Sequence, residues 1–259
     1  DRARSNVIDD FFNPESSAYV GNLPHVKKLI SGHSYWTDGS WDGMRSVRKC
    51  VAQTAHQYGL DVWQSEWSMI GDGYSSTEYV GHDNASTLDI ALYMSKVIHN
   101  DLTVAGVTSW CFWTAMDVAH WGHKNRFLLI SITPSGGEWG DVMSGDGSFA
   151  ATPTLWVLGN YSLFIRPGYK RIKLELNESR SFFGSGYISP DNKQIVAVYT
   201  NLSDKPIRLT ETHVGWNDAV SIKTYTTSAS KDLLEADVMC NDSVVLDAKS
   251  VTTVLYHLE

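Results

Sequence analysis

The chain has 259 residues, a length that corresponds to one large domain or two small ones. Its formal net charge of −8 excludes a general electrostatic attraction for nucleic acids or anionic membranes. The hydrophobic fraction of 42% and the charged fraction of 19% predict a folded core. No apolar run approaches the ~20 residues that a transmembrane helix needs.

The first two thirds of the chain alternate signals for helices and strands. Residues 1–14 show no sustained period and predict a loop, and residues 15–24 predict a short helix. Strands are predicted at residues 28–35 and 60–66, with a helix over residues 44–58 between them. This order of elements is typical of parallel strands joined by helical crossovers.

Capping signals mark where the predicted helices begin and end. Asp42 is the expected N-cap of the first long helix, and Gly59 is its expected C-terminal stop. Ser86 and Asp89 form a candidate capping box before the next helix. Thr152 precedes Pro153, so a further helix is predicted from there to about residue 165.

The character of the chain changes after the third strand and a further helix. Residues 104–113 predict a third strand, and its nearly continuous apolar sequence suits a parallel sheet that is covered on both faces. After residue 166 the segments become short and β-branched, which predicts an all-β module and a domain division into residues 1–166 and 167–259. Three parallel strands allow a small open sheet or the C-terminal part of a (β/α)8 barrel.

The ends of the three predicted strands carry the candidate site residues. The first strand ends at His33, Tyr35 and Trp36, the second at Glu66, and the third at Trp113. Carboxyl ends of parallel strands are where α/β proteins bind ligands. Indole faces match the apolar C–H faces of sugars and carboxylates match their hydroxyl edges, so the pattern favours a sugar site.

Simpler structural interpretations stay open for several of these residues. Glu66 can be a solvated carboxylate at a strand end, and His33 can be a core histidine. Trp63 and Trp110 lie inside predicted strands and are expected in the core. The nine histidines show no metal-binding motif and the glycine pairs show no phosphate-binding motif, so no metal and no cofactor is expected.

Two sequence features together resemble a known enzyme family. Ser65-Glu66 after a strand, with His33 and Tyr35 before it and Trp113 after it, resembles the last three barrel strands of clan A glycoside hydrolases. The stretch Leu158-Gly-Asn-Tyr-Ser-Leu-Phe-Ile-Arg-Pro-Gly168 resembles the exit from the barrel in glycoside hydrolase family 30. The resemblance implies the C-terminal part of a (β/α)8 TIM barrel, followed by an all-β sandwich domain.

The resemblance also implies a role for each site residue. Glu66 matches the nucleophile of a retaining mechanism, and Tyr35 matches the residue that hydrogen-bonds this nucleophile. Trp113 matches the platform under the cleaved sugar, His33 matches a contact to a sugar hydroxyl, and Trp36 is a further expected substrate-binding aromatic. A nucleophilic carboxylate has to be ionised, which requires donors nearby and little desolvation.

One part of the family pattern has no match in this chain. The acid/base residue of the family follows an Asn upstream of every strand present here, and the sole Asn-Glu pair, Asn177-Glu178, lies in the β module. Glu15, Glu78 and Glu138 do not follow a predicted strand, so they lack the sequence context of that acid. The chain is therefore expected to lack the barrel half with the acid, and to be inactive alone.

The resulting hypothesis is a retaining hydrolase of β-glycosidic bonds, with a polysaccharide or oligosaccharide of β-1,6-galactan, β-1,6-glucan or xylan type as substrate. The family analogy implies a secreted, periplasmic or cell-surface protein. A first alternative is a non-catalytic carbohydrate-binding protein with a degenerate barrel. A second is a sugar-binding or docking role for the β module, which contains Trp216.

Overall fold

The structure is a computed structural model that describes residues 7–70, 84–118, 123–137, 146–210, 215, 219–239 and 243–259. The chain divides into two compact units. The first unit consists of Asp1–Trp67 and Asn100–Phe112, and the second consists of Ser68–His99 and Trp113–Glu259.

The first unit is built around a three-stranded parallel sheet. Its elements are α1 (Val7–Phe12), β1 (Leu29–His33), α2 (Trp41–Tyr58), β2 (Asp61–Glu66), a π-helix (Asp101–Ala105) and β3 (Ser109–Trp110). The strands lie in the order β1-β2-β3, and both pairs are parallel. The prediction of three successive parallel strands is confirmed.

Apolar side chains of α2 pack against the sheet and the segment before β3. Ala55 of α2 belongs to a core cluster with Leu60, Val62, Ala105 and Val107. Each of these side chains is at most 9% exposed. A helix in a protein gains most of its stability from packing its apolar face. Apolar residues that recur at helical spacing in α2 contact this core.

Helix caps decide the bounds of α2. Ser40, and not the expected Asp42, is the N-cap, because its side chain accepts a hydrogen bond of 3.1 Å from the backbone N–H of Gly43. Gly59 adopts the left-handed conformation with φ of 63° and ends the helix, as predicted.

The N-terminal prediction is wrong in two places. Residues 7–12 form α1 instead of a loop, and residues 15–24 form turns instead of a helix. A helix of six residues is too short to show a period, and α1 is held by a tertiary contact. The Tyr58 hydroxyl of α2 donates a hydrogen bond of 2.6 Å to the Asp9 carboxylate.

The expected long third strand is also corrected. Residues 101–105 form the π-helix, Gly106 follows with φ of 71°, and β3 contains two residues. The sequence from residue 104 favoured a strand, but residues 104 and 105 instead complete the π-helix. Asp101, the first residue of this helix, is buried and only 2% exposed.

The second unit contains the remaining elements. They are α3 (Thr87–Asn100, whose last residue falls in the first unit), β4 (Met116–Val118), a 3-10 helix (His123–Asn125), β5 (Ile130–Pro134), β6 (Gly147–Ala151), α4 (Pro153–Ser162), β7 (Lys170–Ile172), β8 (Phe182–Ile188), β9 (Gln194–Asn201), β10 (Ile207–Arg208), β11 (Ser221–Ser228), β12 (Lys231–Val238), β13 (Val245–Leu246) and β14 (Ser250–His257). Three sheets form, with strand orders β4-β5-β6, β10-β13 and β12-β11-β14-β9-β8-β7.

The six-stranded sheet is antiparallel throughout and is covered on both faces at its centre. All but one terminal residue of β9 and of β14 are buried. Ile195, Tyr199 and Val254 share a core cluster with Leu246 of β13. The buried Asn160 of α4 donates hydrogen bonds to the backbone oxygen of Tyr225 and to the hydroxyl of Thr253.

The capping predictions of the second unit have different outcomes. The Ser86–Asp89 capping box is confirmed, with hydrogen bonds of 2.9 and 3.1 Å in the two directions. Thr152 is the N-cap of α4, but its hydroxyl donates to the backbone oxygens of Leu128 and Leu129 instead of capping the helix.

The prediction of mixed helices and sheets is confirmed, including the antiparallel sheet after residue 169. The barrel and sandwich assignment stays a prediction, and so does the division at residue 166. Within the described residues, no helix is long and apolar enough to cross a membrane.

Candidate active site

A carboxylate, a phenol and an imidazole meet at the ends of β1 and β2. The Tyr35 hydroxyl donates a hydrogen bond of 2.9 Å to Oε1 of Glu66. Nδ1 of His33 lies 3.8 Å from the same oxygen. The rings of His33 and Tyr35 are edge-to-face, with centroids 5.6 Å apart. The structure thus brings together three of the five predicted site residues.

The strand register explains this meeting. β1 and β2 run parallel, and an irregularity between Gly32 and His33 places His33 opposite Glu66. The backbone N–H of Ser34 then donates to the backbone oxygen of Glu66 at 3.4 Å. Because both strands end at this point, the side chains that follow them reach the same edge of the sheet.

The Glu66 carboxylate is partly exposed and accepts a hydrogen bond. Its side chain is 34% exposed, so the carboxylate keeps part of its hydration. The His33 side chain is 51% exposed, which excludes the alternative of a core histidine. The arrangement suits a carboxylate that attacks a bound electrophile or accepts hydrogen bonds from a ligand.

Trp36 presents an exposed indole beside this cluster. Its side chain is 78% exposed, and its ring centroid lies 5.7 Å from that of Tyr35. Its φ of 57° lies in the left-handed region, which is uncommon for a residue other than glycine. An exposed aromatic residue next to polar groups is typical of a binding surface.

Trp113 lies three residues beyond the end of β3, in the second unit. Its side chain is 42% exposed, and its ring centroid is 6.0 Å from that of Phe127. Its role as a platform stays a prediction.

Trp63 of β2 is 40% exposed and lies under the Lys27 ammonium group. The expectation that Trp63 is a core tryptophan is therefore wrong.

Sequence reasoning missed a buried ion pair next to the cluster. Nε of Arg48 lies 2.8 Å from the Asp101 carboxylate, and the two side chains are 4% and 3% exposed. Burial raises the pKa of Asp101, and the Arg48 guanidinium, the Trp110 indole and the Ser34 hydroxyl oppose that rise. A signal existed, because Arg48 interrupts the buried stripe of α2 between Met44 and Ala55.

Glu178, the carboxylate of the sole Asn-Glu pair, belongs to the second unit. Its carboxylate accepts a hydrogen bond from Nε2 of His99 at 2.7 Å within the same unit. No group of three metal-ligating side chains occurs in the part of the chain that the structure describes. Glu78, Glu138 and Trp216 lie outside the described residues.

Comparison with known families gives one match. The family model described as O-Glycosyl hydrolase family 30 matches residues 1–124, the segment that contains β1, β2 and β3. This match confirms the resemblance that the strand-end residues indicate. A search of curated proteins finds no match.

Solved structures share the fold over most of the chain. A conserved exported protein from Bacteroides fragilis is 25% identical with a TM-score of 0.80, and the match covers 96% of this chain and 50% of that protein. A GH30 endoxylanase from Clostridium papyrosolvens is 21% identical with a TM-score of 0.61, covering 89% of this chain and 49% of the xylanase. A family 30 subfamily 8 xylanase from Clostridium acetobutylicum is 17% identical with a TM-score of 0.58, covering 89% and 48%. The chain thus spans about half the length of these proteins.

Proposed function

We propose that this chain carries the nucleophile half of a retaining glycosidase site, because residues 1–124 match the family model described as O-Glycosyl hydrolase family 30. The hydrogen bond of 2.9 Å from Tyr35 to Glu66 is the observation that carries the proposal. It joins the two residues that the family resemblance pairs, at the strand ends where such enzymes bind substrate. His33 and Trp36 would contact the sugar beside them.

The proposed chemistry has two steps. An oxygen of Glu66 forms a bond to the anomeric carbon while the glycosidic C–O bond breaks, and the electron pair leaves with the departing oxygen. A protonated acid gives that oxygen its proton. Water then attacks the anomeric carbon, loses a proton to the same group, and releases the Glu66 carboxylate.

The acid of this mechanism is proposed to lie on a barrel half that this chain does not contain. In a retaining enzyme its carboxyl group lies about 5–5.5 Å from the nucleophile. Among the described residues, the polar side chains at the Glu66 carboxylate are those of Tyr35 and His33. We therefore assign residues 1–166 to the C-terminal part of a (β/α)8 barrel and residues 167–259 to its β-sandwich.

The proposed substrates are β-linked polysaccharides of β-1,6-galactan, β-1,6-glucan or xylan type. Two of the three neighbours reported above are named as xylanases, which favours testing xylan first. The neighbour from Bacteroides fragilis is named as an exported protein, and a polysaccharide-degrading enzyme needs to meet its substrate outside the cytoplasm. We propose a secreted, periplasmic or cell-surface location on these grounds.

A substrate with a good leaving group tests Glu66 without the acid. Dinitrophenyl 2-deoxy-2-fluoro-β-glycosides of xylose, glucose and galactose lose dinitrophenolate unprotonated, and the fluorine slows hydrolysis of the glycosyl ester. We expect mass spectrometry of the digested protein to find one glycosyl group on Glu66. Label on another residue, or no label with any of the three sugars, would contradict a nucleophilic role and favour a binding protein.

Two matched tyrosine variants sharpen the test. Tyr35→Phe removes the donor to Glu66, and we expect labelling to slow by about tenfold, since a hydrogen bond to a charged group contributes roughly 1.5–3 kcal/mol. Tyr58→Phe removes an equivalent hydrogen bond to Asp9 in the same unit and should leave the rate within twofold. Equal rates for both variants would remove Tyr35 from the mechanism.

A further inference from the structure

The segment that follows β1 is braced on both sides of its two aromatic residues. We call Ser34–Asp38 the exit segment. Ser34 and Asp38 at its ends are buried, and Thr37 is half-buried. Between them, Tyr35 is 7% exposed and donates to Glu66, whereas Trp36 is 78% exposed. Each bracing residue makes a side-chain hydrogen bond within the first unit.

The first brace is the Arg48–Asp101 pair. The Ser34 hydroxyl lies within hydrogen-bond distance of both Asp101 oxygens, at 3.2 and 3.0 Å. Nη1 of Arg48 donates to the backbone oxygen of Thr37 and, at 3.0 Å, to its hydroxyl. That hydroxyl donates in turn to the backbone oxygen of Ser34 at 3.1 Å. One buried ion pair therefore holds both Ser34 and Thr37.

The second brace connects the exit segment to β2. The indole N–H of Trp67 donates to the Asp38 carboxylate at 2.6 Å. Trp67 is 1% exposed and directly follows Glu66 in the chain. The residue after the candidate nucleophile is thus tied to the residue that ends the exit segment.

The backbone of Trp36 is an independent sign of constraint. A bulky side chain at φ of 57° persists where the surrounding structure determines the conformation. Directional hydrogen bonds impose such a conformation, whereas apolar contacts tolerate small displacements. The braces supply such bonds on the N-terminal and on the C-terminal side of Trp36.

We propose that Arg48 and Asp101 are positioning residues, which act through Ser34 and Thr37 to hold the Tyr35 hydroxyl on Glu66 and the Trp36 indole outward. Neither charged side chain touches Glu66. Their effect is to fix the direction in which the exit segment leaves β1. The effect on catalysis rests on the proposed function, whereas the effect on the conformation of Trp36 does not.

Two threonine variants separate positioning from general stability. Thr37→Val removes the hydroxyl between Arg48 and Ser34, and Thr54→Val removes a half-buried hydroxyl that donates to the backbone oxygen of Cys50 within α2. We expect Thr37→Val to slow labelling by the dinitrophenyl fluoroglycoside about tenfold. Thr54→Val should stay within twofold of the original rate, while both variants lower the melting temperature by similar amounts. A rate for Thr37→Val within twofold of that for Thr54→Val overturns the catalytic part.

A spectroscopic measurement tests the conformational part without any glycoside. In protein labelled with 5-fluorotryptophan, the Trp36 fluorine signal is assigned by its loss in Trp36→Phe. We expect Thr37→Val to shift or broaden this signal and Thr54→Val to leave it unchanged. An unchanged signal in Thr37→Val overturns the proposal. A changed signal together with no labelling of the original protein upholds the positioning and rejects the proposed function.

If Thr37→Val does not fold, Ser34→Ala provides the same test from the other end of the brace. It removes the hydroxyl that donates to Asp101 and keeps the backbone N–H that donates to Glu66. The same shift in the Trp36 signal and the same slower labelling are expected. A Trp36 signal that stays in place in this variant overturns the proposal.

Discussion

In the parallel sheet of the first unit, a buried ion pair and hydroxyl side chains join the strand ends, whereas in the antiparallel sheet of the second unit a buried amide with hydroxyl partners and an apolar cluster cover the strands. Arg48 and Asp101 are buried beside the exit segment, and both are charged. The corresponding buried group at the antiparallel sheet is Asn160, a neutral amide that bonds to two neighbouring strands. Apolar residues such as Ile195 and Leu246 fill the opposite face.

The two regions differ in whether the fold needs only stability or also the exact placement of individual atoms. An apolar core stabilises a sheet without fixing any single atom, and volume-conserving changes are tolerated. A site that places a phenol 2.9 Å from a carboxylate needs directional contacts. Buried charges cost desolvation energy, so mutations can test how the ion pair beside the candidate site differs from the amide and the apolar cluster at the antiparallel sheet.

The largest effect is expected from breaking the ion pair. Arg48→Met leaves the Asp101 carboxylate buried without its cation, and we expect a loss of about 3–5 kcal/mol in the free energy of unfolding. Urea unfolding followed by tryptophan fluorescence measures it. The double variant Arg48→Met with Asp101→Leu should recover most of the loss, because an apolar pair has no desolvation cost. A double variant less stable than the single one would contradict this account.

A smaller effect is expected in the antiparallel region. Leu246 is fully buried in the core of the sheet, so Leu246→Ala should lower the free energy of unfolding by roughly 2–4 kcal/mol. Leu234 on the edge strand β12 is 54% exposed, and Leu234→Ala is the matched control, with a change within about 0.5 kcal/mol. Circular dichroism during urea unfolding gives both values. Similar losses of stability in the two variants would contradict the expectation that the buried leucine contributes more than the exposed one.

The smallest effect is expected at the N-terminus of α3. Burial raises the pKa of Asp89, but hydrogen bonds from Ser86 and the Lys249 ammonium group outweigh it and lower that pKa overall. We expect Asp89→Asn to cost about 1 kcal/mol at neutral pH, with solvent screening keeping the charge contribution small. Thermal unfolding measures this cost.

The pH dependence of this cost has a definite sign. A lowered pKa in the folded state means that the carboxylate stabilises the fold above the unfolded-state pKa, and that this stability is lost as the pH falls through the folded-state pKa. The difference between Asp89→Asn and the original protein should therefore shrink toward acid pH. Asp204→Asn removes the other carboxylate near Lys249 and should show a smaller cost. A difference that grows toward acid pH would contradict the assignment.

The amino-acid sequence by itself determined the elements whose signals are local. Alternating and periodic apolar residues located the parallel strands, α2 and the central antiparallel strands. Since parallel strands end at one edge, the same patterns also predicted that Tyr35 and Glu66 would meet. The capping hydrogen bonds of Gly59 and of the Ser86–Asp89 capping box join residues that are only a few positions apart in the chain. They could therefore be identified from the sequence without knowledge of the fold.

Only the tertiary structure decided the features that depend on distant partners. The π-helix at Asp101, the ion pair with Arg48 and the left-handed Trp36 each result from groups separated by many residues in the chain. Local propensity predicted that a strand begins at residue 104, inside the last turn of the π-helix, because propensity does not include the free energy of satisfying a buried carboxylate such as that of Asp101. The sequence therefore specified which residues reach the edge of the sheet, and the packing of the first unit specified the directions in which they point.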